Sequence, residues 1–111
     1  VRFSDEITKD SQLGIFERGA HSVVDVFPGK KLTSDYQLNI VDICPVGALT
    51  RVDFRFKCRA WYLVPSAGVC TKCARGCSII VDHKGDQVFR YRPRKNPYVN
   101  GFWMCDEGRL S

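Results

Sequence analysis

The sequence predicts an α+β fold, a small mixed domain with short strands, a β-hairpin and short helices, built around a cysteine-ligated metal site. The chain has 111 residues, enough for one compact hydrophobic core. The stretch "SIIVDHKGDQVFRYRPR" contains two β-rich runs around a turn at residues 83–86, which predicts the hairpin. Three of the six cysteines lie within residues 70–77, and this density indicates metal ligation.

Two short strands are predicted before the hairpin, in "LGIFERG" and in "HSVVDVFPG". Each has a run of apolar residues with turn residues after it, Gly19 in the first case and Pro28-Gly29 in the second. Further along, "VDFRFKCRAW" alternates apolar and polar residues, and this period of two is typical of a strand or an extended linker.

Two short helices are also expected. The stretch "YQLNIVDICPVGALT" predicts a helix with Leu38, Val41 and Ile43 on its inward face. This helix should end before Pro45, because the residue before a proline disfavours helical backbone. The second helix is predicted at "CDEGR", near the end of the sequence.

The cysteine triplet in "CTKCARGC" has a fourth partner across the hairpin, which gives the spacing C-x2-C-x3-C-x27-C. The candidate ligands are Cys70, Cys73, Cys77 and Cys105. Thiolates are soft ligands that select zinc or an iron–sulfur cluster over hard cations. A zinc ribbon normally uses two C-x2-C pairs, whereas here three ligands come from one loop. This arrangement favours a 4Fe-4S cluster, with zinc as the alternative.

Cys44 gives a second signal in the stretch "ICPVGAL". A cysteine followed by proline is typical of the remote ligand of a bacterial-ferredoxin cluster. The other three ligands of such a cluster come from a C-x2-C-x2-C run, which this sequence does not contain. A buried thiol is the alternative interpretation, because cysteine is common in hydrophobic cores. The specific Cys-Pro-x-Gly-Ala pattern favours a ligand.

The net charge of the chain is +5, and much of the positive charge lies in residues 89–98, "FRYRPRKNPY". Basic residues between aromatic residues can bind nucleic acid through phosphates and stacking. The alternation with a period of two favours instead an amphipathic strand with one charged face. His21 and His83 are expected at the surface and in a turn, not as metal ligands. No stretch of about 18 apolar residues is present, so no transmembrane helix is predicted.

Five ordered motifs span nearly the whole chain: "VRFSDEI", "VDICPVGAL", "DFRFK", "CTKCARGC" and "NGFWMCDEGR". On these motifs the chain resembles the iron–sulfur subunit of bacterial NADH:quinone oxidoreductase (respiratory complex I). The resemblance implies that residues 1–66 are the C-terminal part of a ferredoxin-like iron–sulfur segment. It implies that residues 67–111 form a 4Fe-4S domain of the molybdopterin-oxidoreductase type, with a boundary in "VPSAG".

The resemblance also implies roles for single residues. In that family a C-x2-C-x2-C run ends just before the residue that matches Val1, so the chain is expected to be an internal fragment. Cys44 would then complete a second cluster whose other ligands lie upstream. Glu107 stands where related molybdopterin enzymes have the lysine of a Cys-x-Lys-Gly motif, so electron delivery to a pterin is not expected. Cys58 stands where a small apolar residue is expected and is interpreted as a packed thiol.

The function implied by this resemblance is electron transfer through a 4Fe-4S cluster in the peripheral arm of NADH:quinone oxidoreductase, with the other subunits as partners. The sequence has no nucleophile–base pair and no dinucleotide fingerprint, so neither a catalytic site nor direct NADH binding is expected. The complex would hold the chain on the cytoplasmic side of the bacterial inner membrane without direct insertion. Arg75 and the arginines at 90 and 92 could offset the negative charge of the thiolates, and a solvated charged face of the strand is the alternative interpretation.

Two other functions remain open from the residues alone. The first is a zinc-stabilised module that binds nucleic acid through the basic strand at residues 89–98. The second is a metal site that only stabilises the fold and carries no electrons.

Overall fold

The computed structural model describes residues 1–29, 31–45 and 48–110. The chain divides into two compact units, Val1–Gln37 and Leu38–Ser111. Its elements are short helices and two antiparallel sheets, which confirms the predicted α+β class. The predicted segment boundary between residues 66 and 67 falls inside a strand of the second unit, and it stays a prediction.

The first unit contains one short helix and a two-stranded antiparallel sheet. Helix α1 (Arg2–Glu6) is followed by the strands β1 (Leu13–Phe16) and β2 (Val23–Val26). Both predicted strands are therefore confirmed, and they pair with each other. Among the described residues of this unit, Phe3 and Leu13 are the buried apolar side chains.

Helix α2 (Asn39–Ile43) confirms the predicted helix and ends before Pro45, as expected. The predicted inward face is wrong at Ile43, which is half exposed, while the polar Asn39 is completely buried. Hydrogen bonds explain the difference. The Asn39 side chain donates to the Met104 carbonyl at 2.8 Å and accepts from the Met104 N–H at 3.2 Å. Because both ends of the amide are satisfied, its burial carries little penalty.

Residues 52–61, predicted as a strand or an extended linker, form neither. The first six of them make consecutive turns, and Ala60–Tyr62 forms a 3-10 turn. The Arg55 N–H donates to the Arg51 carbonyl at 2.9 Å, which curls the backbone. The prediction is wrong because the alternating apolar residues are not buried, and Phe56 is 93% exposed.

The sheet of the second unit has the order β3-β4-β5 and is antiparallel. Its strands are β3 (Val64–Val69), β4 (Ser78–Lys84) and β5 (Gln87–Pro93). Strands β4 and β5 confirm the predicted hairpin, but His83 and Lys84 belong to β4, so the turn is shorter than the predicted residues 83–86. Gly85 in this turn has a φ of 60°, a left-handed value that suits glycine. Strand β3 was not predicted, because Pro65 made this stretch resemble a linker. Since β3 lies at the edge of the sheet, a proline is tolerated there.

The charged face of the hairpin is internally paired. Asp82 on β4 is buried and accepts hydrogen bonds from the Nε atoms of Arg90 and Arg92, each at 2.6 Å. Burial alone would raise the pKa of Asp82, but the hydrogen bonds from these arginines outweigh it and hold that pKa below its usual range. The single Asp82 carboxylate offsets one of the two arginine charges, so one net positive charge remains on this part of the hairpin. That these arginines offset the charge of a cluster stays a prediction.

The core of the second unit lies next to the cysteine loop. It consists of Cys70, Cys77, Ile79 and Met104, with Val81 and Tyr91 packed against them. Two of the four buried residues are thus candidate ligands. Helix α3 (Asp106–Leu110) confirms the helix predicted at "CDEGR". In the part of the chain that the structure describes, no helix has the length and apolar character needed to cross a membrane.

Candidate metal centre

Three of the four candidate ligands lie on the loop between β3 and β4. Cys70 directly follows β3 and Cys77 directly precedes β4, so the pairing of these strands brings the two ends of the loop together. The Cys70 N–H donates to the Cys77 carbonyl at 2.8 Å, which closes the loop. Gly76 has a φ of 63° and donates its N–H to the Cys73 carbonyl at 3.4 Å. The turn before Cys77 therefore uses a conformation that favours glycine.

The fourth candidate, Cys105, reaches the same place from the segment just before α3. Gly108 in α3 shows how closely the sulfur atoms approach. A Cβ atom on Gly108 would lie 3.1 Å from the Cys70 Sγ and 3.5 Å from the Cys105 Sγ. The missing side chain therefore leaves space where thiols from two distant parts of the sequence converge.

The four thiols differ in their exposure. Cys70 and Cys77 are buried, Cys105 is partly buried and Cys73 is exposed. Burial raises the pKa of the Cys77 thiol above its usual value, and Arg75 opposes this shift. The other three thiols act on that pKa in the same direction as burial. Binding of a metal ion or a cluster must therefore displace protons from this group.

The donor set suits a group that is ligated by thiolates. No disulfide links the six cysteines, all of which lie among the described residues. Within residues 1–29, 31–45 and 48–110, no three His, Cys, Asp or Glu side chains are arranged so that they could hold a metal ion. Cys70, Cys77 and Cys105 lie near one another, but not in an arrangement that could hold a metal ion, and Cys73 is exposed to solvent. Thiolates in this number fit zinc or an iron–sulfur cluster.

Two cations stand on the cysteine loop itself. The Lys72 Nζ lies 3.6 Å from a carboxylate oxygen of Glu107, which joins the loop to α3. Arg75 donates from Nε and Nη2 to the Val99 carbonyl, at 3.2 Å and 2.9 Å. The Lys72–Glu107 pair is exposed, so it adds little stability. Positive charge at these positions would offset the negative charge of bound thiolates.

A buried polar network joins α2 to α3, and it was not predicted from the sequence. The Arg109 side chain is fully buried and donates to the Asp42 Oδ2 at 2.6 Å and to the Asn39 Oδ1. Asn39 in turn holds the Met104 backbone, one residue before Cys105. The available signal was the spacing of Asn39 and Asp42, which puts two polar residues on one face of a short helix.

Cys44 directly follows α2, and its N–H donates to the Ile40 carbonyl at 3.1 Å. Its side chain is partly buried. Residues 1–43 contain no cysteine that could share a cluster with Cys44. The role of Cys44 as a cluster ligand therefore stays a prediction. Val46 and Gly47, the next residues of the Cys-Pro-x-Gly-Ala pattern, lie outside the described residues.

Cys58 and His83 take part in local hydrogen bonds. The Cys58 thiol is partly buried and donates to the Arg59 carbonyl at 3.5 Å. The His83 ring shares hydrogen bonds with the Ser66 Oγ at 2.8 Å and with the Gly85 carbonyl at 3.1 Å. The Cys58 contact agrees with a packed thiol, whereas His83, predicted in the turn, lies in strand β4.

Two family models match most of the chain. Residues 1–50 match the model described as NADH-quinone oxidoreductase subunit 3, ferredoxin-like domain. Residues 69–111 match the model described as NADH-ubiquinone oxidoreductase NDSU1/NuoG-like, 4Fe-4S domain. The first match includes Cys44, and the second includes all four cysteines of the candidate centre. These descriptions support an iron–sulfur cluster and give no support to zinc or to nucleic-acid binding.

Curated relatives resemble the chain along nearly its whole length. An NADH-quinone oxidoreductase subunit of Mycobacterium bovis is 43% identical over 109 residues, which are 98% of this chain and 14% of that protein. NADH-quinone oxidoreductase subunit 3 of Thermus thermophilus is 38% identical over 110 residues, 99% of this chain and 14% of that protein. The mitochondrial NADH dehydrogenase (ubiquinone) iron-sulfur protein 1 of Solanum tuberosum is 38% identical over 110 residues, again 99% of this chain and 15% of that protein. The chain thus spans only 14% to 15% of the length of these relatives.

Proposed function

The chain belongs to the iron–sulfur subunit family of NADH-quinone oxidoreductases, and on that premise we propose that it transfers electrons through a 4Fe-4S cluster within such a complex. The proposed ligands are Cys70, Cys73, Cys77 and Cys105. The observation that carries the proposal is the convergence of Cys70 and Cys105 on Gly108, with Cys77 in the same core. Three of these thiols lie on the loop between β3 and β4, and the fourth directly precedes α3. Four thiolates match the number of ligands of a 4Fe-4S cluster.

The residues of the chain prepare the site for electron transfer. A bound 4Fe-4S cluster supplies a centre that accepts and releases one electron. Each ligating thiol gives up its proton on binding. Met104 and Ile79, both buried, keep water away from the inner side of the site. No bond between substrate atoms has to be made or broken, which agrees with the absence of a nucleophile–base pair in the sequence.

Charges on the loop would set how readily the site accepts an electron. Lys72 and Arg75 lie between proposed ligands, and a positive charge there favours the state that holds the additional electron. Glu107 reduces the effect of Lys72 because the two side chains pair at 3.6 Å. The reduction potential therefore depends on the balance among these three side chains as well as on burial.

The first matched segment suggests a second site. We propose that Cys44 ligates another cluster whose other ligands lie outside this chain, and the ferredoxin-like model that matches residues 1–50 supports this. The other subunits of the oxidoreductase would be the partners, and hydride transfer from NADH would take place elsewhere in the complex. The complex would hold the chain on the cytoplasmic side of a bacterial inner membrane.

Metal analysis after anaerobic reconstitution tests the electron-transfer proposal. We expect about four iron and about four sulfide ions per chain, a broad absorption at about 400 nm and an EPR signal on reduction. The Cys58→Ser variant should retain all of these, because Cys58 is not a proposed ligand. A colourless protein that retains one zinc ion would overturn the proposal. About eight iron atoms per chain would show that a second complete site exists.

The substitution Gly108→Ala is expected to speed the loss of a bound cluster several-fold. The new methyl group would lie 3.1 Å from the Cys70 sulfur, which cannot move away while it is a ligand. The metal-free fold should change little in stability, because the preference of alanine for a helix, up to about 1 kcal/mol over glycine, opposes the crowding of the Met104 Cε, which would lie 3.0 Å from the new methyl group. The decay of visible absorption after addition of an iron chelator measures this loss.

Gly14→Ala provides the control for this variant, because its methyl group would make an ordinary contact with the Phe27 ring at 3.4 Å. Its cluster should decay at the rate of the unchanged protein. Equal decay rates for the two alanine variants would show that the space at Gly108 does not matter for the cluster.

A further inference from the structure

A groove with a basic lining lies in the second unit, and none of the four proposed ligands lines it. Its volume is about 730 Å³, and its lining comes from residues between 50 and 62 together with Lys84 of β4. The cations of this basic groove are Arg51, Arg55, Lys57, Arg59 and Lys84. Electron transfer at the cysteine site makes no use of them.

Most of the positive charge in the basic groove has no carboxylate partner. Arg51 forms an ion pair with Asp53. Among the residues that the structure describes, no Asp or Glu lies within 4.0 Å of the charged nitrogens of the other four cations. These four uncompensated charges would attract an acidic ligand and repel a basic one.

Large aromatic side chains beside the groove are open to solvent. Phe56 lines the groove and is 93% exposed, and the nearby Trp61 is 72% exposed. Phe56 also has a left-handed φ of 64°, which is uncommon for a bulky residue. A strained backbone that displays an aromatic ring to solvent points to a function for that ring. Exposed aromatic and arginine side chains together are typical of the residues that contribute most to protein interfaces.

We propose that the basic groove binds an acidic segment of a partner subunit of NADH-quinone oxidoreductase, one that also has apolar side chains to cover Phe56 and Trp61. This assignment rests on the proposed function in its choice of complex. Charge complementarity favours an acidic polypeptide over a second copy of this chain, because two copies would bring like charges together.

The aromatic rings distinguish an acidic polypeptide from nucleic acid. A single strand of nucleic acid would need open ring faces for base stacking. Here the guanidinium of Arg55 lies 4.8 Å from the centre of the Phe56 ring, and that of Arg59 lies 5.4 Å from the Trp61 ring. Each cation covers one face of its ring and so reduces the surface on which a base can stack, while its N–H groups can still pair with a carboxylate, which favours an acidic polypeptide.

Photo-crosslinking in the assembled complex tests this proposal. Phe56 of the full-length subunit is replaced by photoreactive p-benzoylphenylalanine, and mass spectrometry identifies the crosslinked peptides. We expect crosslinks to one segment of another subunit that is rich in Asp and Glu. The double variant Arg55→Glu, Arg59→Glu should lower the assembled fraction of the subunit about tenfold. The control Arg94→Glu, Lys95→Glu reverses two exposed charges outside the groove and should change it little.

Several outcomes would overturn the proposal. In the crosslinking experiment, they are crosslinks to nucleic acid, to a second copy of the chain or to another part of the same subunit, or the absence of any crosslink. In the assembly experiment, it is an equal assembled fraction for the two double variants. The cluster provides an independent readout, because the purified groove variant should keep its EPR signal. If the unchanged subunit formed these crosslinks but had no EPR signal, electron transfer would be refuted and the binding groove would stand.

Discussion

The substitution Cys77→Ser is expected to abolish the EPR signal and to lower the iron bound after reconstitution at least about tenfold, since even the loss of an outer partner of a metal ligand costs that much. Cys77 is 8% exposed and shares a core with Cys70, so water cannot easily replace a missing ligand there. The serine oxygen is also a harder donor than a thiolate and suits iron–sulfur clusters poorly. Iron quantitation and EPR at equal protein concentration measure the effect.

The metal-free fold should survive Cys77→Ser, because the residue closes its loop through a backbone group. Its carbonyl accepts the hydrogen bond from the Cys70 N–H at 2.8 Å, and serine keeps that carbonyl. Cys58→Ser is the matched control, since the serine hydroxyl can replace the thiol that donates to the Arg59 carbonyl. Full iron content in the Cys77 variant, or loss of iron in the Cys58 variant, would show that the proposed ligand set is wrong.

The parts of the fold that the sequence predicted correctly are those with local signals. The hairpin of β4 and β5 combines two β-rich runs with a glycine in its turn, and each of these features acts over a few residues. Helix α2 was likewise bounded by Pro45, which restricts the residue before it. The spacing of the cysteines was enough to identify the candidate ligands. This was possible because the hairpin, which lies between Cys77 and Cys105 in the sequence, was itself predictable.

The errors arose where contacts over long sequence distances decide the structure. Alternation in residues 52–61 predicted a strand or an extended linker, but Val52 and Phe56 are exposed, so the pattern does not report burial. Strand β3 forms because β4 pairs with it at an edge, which composition does not reveal. Arg109 and Asn39 are separated by 70 positions. The spacing of Asn39 and Asp42 indicates a polar helix face, but it does not indicate that Arg109 meets this face.

The network of Arg109 also gives the position of Cys105 a physical basis. The Cys105 carbonyl accepts the Arg109 N–H at 3.3 Å, and the Arg109 side chain is held by α2 through Asp42 and Asn39. Asn39 fixes the backbone of Met104 at the same time. The position of Cys105 therefore depends on Asn39 and Asp42 of α2 as well as on its own segment. These two residues precede the cysteine loop by about thirty positions.

Arg109→Met is expected to lower the free energy of unfolding of the metal-free chain by about 2 to 3 kcal/mol, because it leaves Asp42 without its buried partner. This is below the full cost of an unpaired buried charge, since the Asp42 side chain is 27% exposed and can be partly rehydrated. Methionine fills a similar volume, so packing around Met104 should change little. Denaturant unfolding monitored by circular dichroism measures the loss.

The double variant Arg109→Met, Asp42→Leu should recover much of this stability. Arg109→Met already removes the Arg109 Nε and Nη1 groups, which are buried without a hydrogen-bond partner among the described residues. Asp42→Leu then removes the carboxylate that the single variant leaves unpaired. Arg2→Met, which breaks only the exposed ion pair with Glu6, should have no measurable effect. A double variant less stable than the single one would show that Asp42 stabilises the chain through contacts other than its pairing with Arg109. If Arg109 positions Cys105, reconstituted Arg109→Met should also show an altered EPR line shape. A residue that only stabilises the fold would leave that line shape unchanged.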